Sequence, residues 1–167
     1  HDEGRSQPRG EGFELATDEA GALRGAKGLL LSSFARLKAE GAQLDRQETL
    51  GVMQECVDLF KALGDIAAEH QGLPVDAEPQ VLQQTRLKDW ENGSNTAPEA
   101  SGGGAPLIAL ASPEGLHHST PASVVTHAGQ NIDSVAGGHL QCASGGRTVV
   151  NAGQGVSTFA QSGGIRS

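Results

Sequence analysis

Apolar and polar positions between residues 116 and 163 follow a pattern that repeats every eight residues. The blocks run 116–123, 124–131, 132–139, 140–147, 148–155 and 156–163. Their first position holds Leu116, Val124, Ile132, Leu140, Thr148 and Val156, and their third holds His118, Thr126, Ser134, Cys142, Val150 and Thr158. The fifth is always small: Thr120, Ala128, Ala136, Ser144, Ala152 and Ala160. Alternate residues of a strand share a face, so these three rows predict one common, inward face. In the four middle blocks the sixth position is Gly129, Gly137, Gly145 or Gly153, which predicts a corner after each strand. A fixed period of this kind is the mark of a stacked array.

The predicted inward face is thin. Its third position is mostly small or polar, and Phe159 is the one aromatic residue of the array. At roughly 25 cal/mol per Å² of apolar area, such a face stabilises little by itself, and a short array leaves open edges that invite pairing with other chains. The expectation is a mainly β fold: an octad-repeat triangular β-prism or β-helix formed by an intertwined homotrimer. Its trimer-core residues would be Leu116, Val124, Ala128, Ile132, Ala136, Leu140, Ala152, Val156 and Ala160. A single-chain solenoid is the alternative. A calcium-binding nonapeptide solenoid needs a recurrent Asp, whereas Asp133 stands alone in the array.

The period of the pattern changes upstream. Phe13–Thr17 alternates as a strand does, Asp18–Gly21 has turn composition, and Ala22–Arg24 and Leu29–Ser33 follow as further strand candidates. From Leu50 the spacing becomes helical: Leu50, Met53, Val57, Phe60, Leu63 and Ala67 form one stripe. Asp45 with Glu48 has the spacing of an N-terminal capping box, and Gly72 with Pro74 predicts the stop after about His70. Glu78–Trp90 is a second helix candidate that would complete a hairpin. Residues 91–106 have linker composition, and Leu107–Ala111 restarts the strand pattern. The expected organisation is first strands at 1–33, a link at 34–44, a helical insertion at 45–92, a Gly/Ser linker at 93–105 and the prism at 106–167. Phe60 and Trp90, among the largest side chains outside the repeats, are the candidate partner-binding residues.

Composition narrows the function. The chain has 167 residues, 24 of them Gly, with one Trp, four Phe and no Tyr, which suits a strand-and-corner fibre better than an ordinary globular core. A net charge of −8 argues against nucleic acid and against anionic lipid, and no apolar run is long enough to span a bilayer. The N-terminus carries no secretory signal, so export would take another route. The chain opens on His1 rather than Met, which reads as a piece of a longer protein. Cys56 and Cys142 read as free thiols. The stretch Gly21–Gly28 misses the spacing of a phosphate loop. Neither a zinc-peptidase motif nor a nucleophile elbow occurs, and no Ser sits beside an evident base. His118 lies in the inward register, where copies could bring imidazoles together, but no metal-ligand spacing supports a site. The expectation is no catalysis, no metal and no cofactor.

Two further stretches carry a resemblance. Gly4-Arg5-Ser6-Gln7-Pro8-Arg9-Gly10-Glu11-Gly12-Phe13-Glu14-Leu15, with Gly25-Ala26-Lys27-Gly28-Leu29-Leu30-Leu31-Ser32, closely resembles VgrG, the spike protein of bacterial type VI secretion systems. The match lies in the C-terminal extension after its central spike. Phe159-Ala160-Gln161 and Gly163-Gly164-Ile165-Arg166 resemble the family's repeat ending, although the octad register breaks at Gly164. The resemblance implies a trimeric needle thrust from a sheathed tube. It also implies a secreted effector as cargo, a PAAR-type tip protein as a further partner, and no catalytic residues to carry over. Localisation would be the cytoplasm of the producing bacterium, followed by secretion without a signal peptide. The runner-up is a receptor-binding or adhesive trimeric fibre of a phage-tail-like particle, which would share the array but not the Gly4–Leu15 stretch.

Overall fold

The computed structural model describes residues 10–37, 41–93 and 102–166. Its elements are β1 (Leu29–Ser32), α1 (Gln47–Glu69), α2 (Glu78–Lys88), β2 (Glu91–Asn92), β3 (Gly102–Gly103) and β4 (Ile108–Ala111). β1 and β4 pair in parallel, Leu29 opposite Ile108 and Ser32 opposite Ala111. Leu29 N–H to Leu107 O, at 2.9 Å, and Ser33 N–H to Ala111 O, at 3.2 Å, extend the ladder. A parallel pair needs a long crossover, and here the helical hairpin is that crossover. β2 and β3 form a short antiparallel clasp at its base. Residues 102–103, expected as linker, therefore close the insertion; 94–101 lie outside the described residues.

The core is small and sits where the hairpin meets β1 and β4. Leu87, Trp90 and Ala109 are buried there, with Leu30, Leu50, Met53 and Leu107 packed around them. Trp90 is 4% exposed, and its indole N–H donates to Ala105 O at 2.9 Å. The ring lies over Gly28, whose φ is +109°; a Cβ there would run into the indole. The expectation that Trp90 offers a contact to a partner is therefore corrected: its ring and its polar atom are both spent inside the chain.

Both ends of α1 depart from the sequence pattern. The N-cap is Arg46, not Asp45, and its side chain makes no capping bond; Asp45 Oδ1 accepts instead from Gln47 N–H at 3.2 Å. Glu48 instead meets Arg36 at 2.7 Å, with Asp45 at 3.4 Å from the same guanidinium. At the C-terminus Gln71, not Gly72, takes the left-handed position, with φ +66°. Gln71 N–H donates to Ala68 O at 3.1 Å and Gly72 N–H to Ala67 O at 2.8 Å, the paired bonds of a Schellman ending. Gly72 is needed for space: a Cβ there would lie 2.8 Å from Ala67 O.

Residues 112–166 run as extended chain with bends at 121–122, 129–130, 137–138, 145–146, 153–154 and 161–163. The first five bends are spaced eight residues apart. None of these residues pairs as a strand within the chain. The strand expectations for Phe13–Thr17 and Ala22–Arg24 meet the same outcome: neither is a strand here. Phe13 and Leu15 are 89% and 87% exposed.

Candidate assembly interface

Two surfaces are built by these elements. One is the extended array itself. Leu116, Val124, Ile132, Leu140 and Val156 are 58–68% exposed, and Ala128, Ala136, Ala152 and Ala160 are exposed with them. Gly129, Gly137, Gly145 and Gly153 each open a bend. They do not hold positive φ, and a Cβ on any of them would meet nothing within 4 Å. Each sits at the bend expected of it, but within a single chain neither a positive φ nor crowding requires Gly at those corners.

The other surface is the side of the hairpin that faces the array. Asn131 Nδ2 donates to Asp76 Oδ2 at 3.2 Å, and Gln80 Nε2 to Asp133 Oδ2 at 2.9 Å. Further along, Leu73 N–H donates to Ser157 Oγ at 3.1 Å, and the His70 and Phe159 rings lie 5.5 Å apart. Residues 131, 133, 157 and 159 are all at even positions of their octads, so even positions supply the side-chain contacts to the hairpin, while Ile132, Ala136 and Leu140 of the odd row also border it. Three bends, at 137–138, 145–146 and 153–154, separate the two places where the array touches the hairpin. Between them lies a groove of about 650 Å³ lined by Phe60, Leu63, Gly64, Ala136, Leu140 and Phe159, among others. Phe60 is half-buried in this groove, on the array side of α1.

Arg46 ties the hairpin together, a role the sequence did not signal. Its Nε donates to Leu87 O at 2.5 Å and its terminal nitrogens to Lys88 O at 2.9 Å, Leu44 O at 2.7 Å and Asn92 Oδ1 at 2.9 Å, with a further short bond to Trp90 O. A cation at the carbonyl end of α2 is favourable to the helix dipole. The guanidinium carbon also lies 5.8 Å from the centre of the Trp90 ring, within cation–π range. Burial holds the Arg46 pKa below the ordinary guanidinium value, opposed by the charge of Asp45; the group stays protonated across the accessible pH range.

Among the described residues no cluster of three His, Cys, Asp or Glu side chains forms. His117 Nε2 lies 3.2 Å from Ser119 Oγ. Cys56 and Cys142 are free thiols. No described helix is long and apolar enough to cross a membrane.

Comparison with known proteins places this geometry. Residues 1–67 match the family described as type VI secretion system Rhs element Vgr, and residues 95–167 match an uncharacterized protein family conserved in bacteria, DUF2345. Two spike proteins of Pseudomonas aeruginosa, VgrG2b and VgrG2a, are each 46% identical over 160 residues, 96% of this chain. The chain spans only 16% and 19% of their lengths. Two solved structures share the fold with a TM-score of 0.83 and 23% identity, covering 95% of this chain and 55% and 45% of theirs. One is the VgrG spike from the type 6 secretion system, the other the Tle1 effector bound to that spike. An unpaired octad array entered through an inserted hairpin is, on these matches, a segment of a type VI secretion spike. The chain belongs to the VgrG family and comes from its C-terminal region.

Proposed function

We propose that this segment extends a needle made of three copies, in which the open edges of each array are closed by strands of the other two. The observation that carries the reading is the array itself, which exposes its apolar row and pairs with nothing in its own chain. Its return to the same hairpin after three bends suits a three-walled prism. Burying one Val, Leu or Ile side chain stabilises by about 1.5–3 kcal/mol, so the repeated row rewards assembly at every layer. The function is mechanical and recruiting, without catalysis: the needle is fired by the type VI machinery and carries a secreted effector, with a PAAR-type protein at its tip where the chain continues that far. The effector-bound neighbour supports the cargo role, and the family matches favour the spike over an adhesive fibre.

Phe60 lines the array-side groove and Trp90 is buried, so the cargo surface moves to other exposed apolar residues of the hairpin, Val52 and Leu82, which are 52% and 45% exposed. The test is capture of the cognate effector by the full spike carrying Val52→Asp and Leu82→Asp. Loss of capture with an intact trimer supports this assignment; unchanged capture removes the hairpin from cargo binding.

A further inference from the structure

We infer that the array-facing side of α1 is completed in the assembled needle by strands of the two other copies, with Val149 of one copy seated against Leu63 of another. The inference rests on the three-copy reading above and adds which residues meet.

The register carries it. Asp133 and Ser157 occupy the same octad position three blocks apart, and both bond to the hairpin of their own chain. Strands in a sheet stack about 4.8 Å apart. In a three-walled prism of three chains, two passes of one chain over one wall lie three layers apart, roughly 14 Å, with two foreign strands between. The helix gives the same length independently. Met53, Cys56 and Val57 meet the first pass, and Phe60, Leu63 and Ala67 border the second. At about 1.5 Å per residue, those stretches are centred about 12 Å apart. The groove of about 650 Å³ occupies this interval.

Three-fold symmetry then names the occupants. Between 131–136 and 155–160 of one chain fall 139–144 of a second and 147–152 of the third. Even octad positions face the hairpin, so Gln141 and Ala143 of one copy and Val149 and Asn151 of the other lie under α1. Val149 is 69% exposed in the single chain, at a position where Asp133, Gln141 and Ser157 are polar. Leu63 belongs to the apolar stripe of α1 yet is 51% exposed. Each supplies the apolar neighbour that the other lacks, and each hairpin becomes a clamp across all three chains.

The test uses the full spike with Cys56→Ser and Cys142→Ser, adding Leu63→Cys with Val149→Cys and treating with a short bismaleimide. The proposal predicts covalent dimers and trimers on a denaturing gel. Leu73→Cys with Ser157→Cys is the control, expected to link within one chain. A trimer by light scattering whose control pair links, but whose Leu63/Val149 pair does not link between chains, overturns the clamp and leaves the three-copy needle standing. A monomer overturns both. As a second readout, Val149→Asp should speed amide exchange in residues 57–67 by about tenfold or more, because it buries an unpaired carboxylate against α1; unchanged exchange overturns the clamp.

Discussion

Arg46 ties the hairpin together through its hydrogen bonds, and removing it should destabilise both helices. Of its five hydrogen bonds, those to Leu87 O and Trp90 O are buried and the rest are half-buried. Arg46→Met keeps much of the apolar stem but removes every donor. The half-buried acceptors recover water, whereas the two buried carbonyls are stranded at about 1–3 kcal/mol each. Relief from burying a charge, the same effect that lowers the Arg46 pKa, offsets part of this. The net expected loss is about 3 kcal/mol, together with the contact over Trp90. α1 and α2 are the helices of the described chain, so circular dichroism at the helix band reports on them. With slopes of about 1–3 kcal/mol per M, the urea midpoint should fall by at least about 1 M. Arg46→Lys should recover a minor part, since one ammonium cannot span acceptors arranged for a planar fork. Arg36→Ala, which removes an exposed pair with Glu48, is the comparison and should cost at most about 0.5 kcal/mol. If Arg46→Met shifts the midpoint no more than Arg36→Ala does, the network is incidental and the reasoning fails.

Three further substitutions, and Gln130→Asp as a control for one of them, probe other links. Gln71→Gly should stabilise the hairpin by about 0.5–1 kcal/mol, because a left-handed non-Gly residue gives way to one without that strain; a lower thermal midpoint would contradict the Schellman assignment. Gly28→Ala should lower the melting temperature and raise indole fluorescence exposure to quenchers, since the methyl group has no room beside Trp90; wild-type quenching would contradict the packing. Ala136→Asp should abolish or weaken trimer formation by placing carboxylates on the inward row, at several kcal/mol per buried group, while Gln130→Asp should not; equal trimer yield for both would show that the inward register is misassigned.

Much of this organisation is legible in the residues, and what is not has physical causes. The eight-residue recurrence of Gly129, Gly137, Gly145 and Gly153 marks the bends, and the Leu50–Ala67 stripe marks α1, because periodicity is a local property. Pairing is not local: nothing in Leu29–Ser32 says that its partner is Ile108–Ala111 across the whole insertion. The burial of Trp90 is hidden for a similar reason. A large aromatic in polar sequence looks like an interface anchor until Gly28 and Gly104, distant in sequence, are seen to make room for it; a Cβ on Gly104 would lie 3.0 Å from the indole. Arg46 gave no signal, since its acceptors are backbone carbonyls and leave no trace in side-chain identity. Asp45 and Glu48 have the spacing of a capping box, but Asp45 sits one residue too early and bonds Gln47 N–H, while Arg36 holds Glu48. The glycines mark the corners, yet neither their φ values nor their open surroundings give a reason for Gly within the single chain.

In the proposed needle the array's unpaired backbone is closed by other copies of the same chain. Amide hydrogen exchange over residues 116–160 of the intact spike tests it most directly. Strands locked between neighbours should exchange orders of magnitude more slowly than free chain, approaching the global stability of the assembly. Protection should vanish together with the trimer mass when Ala136→Asp is introduced. Exchange at the rate of unstructured peptide throughout 116–160 in an intact trimer would show that these edges stay open, and would contradict the account.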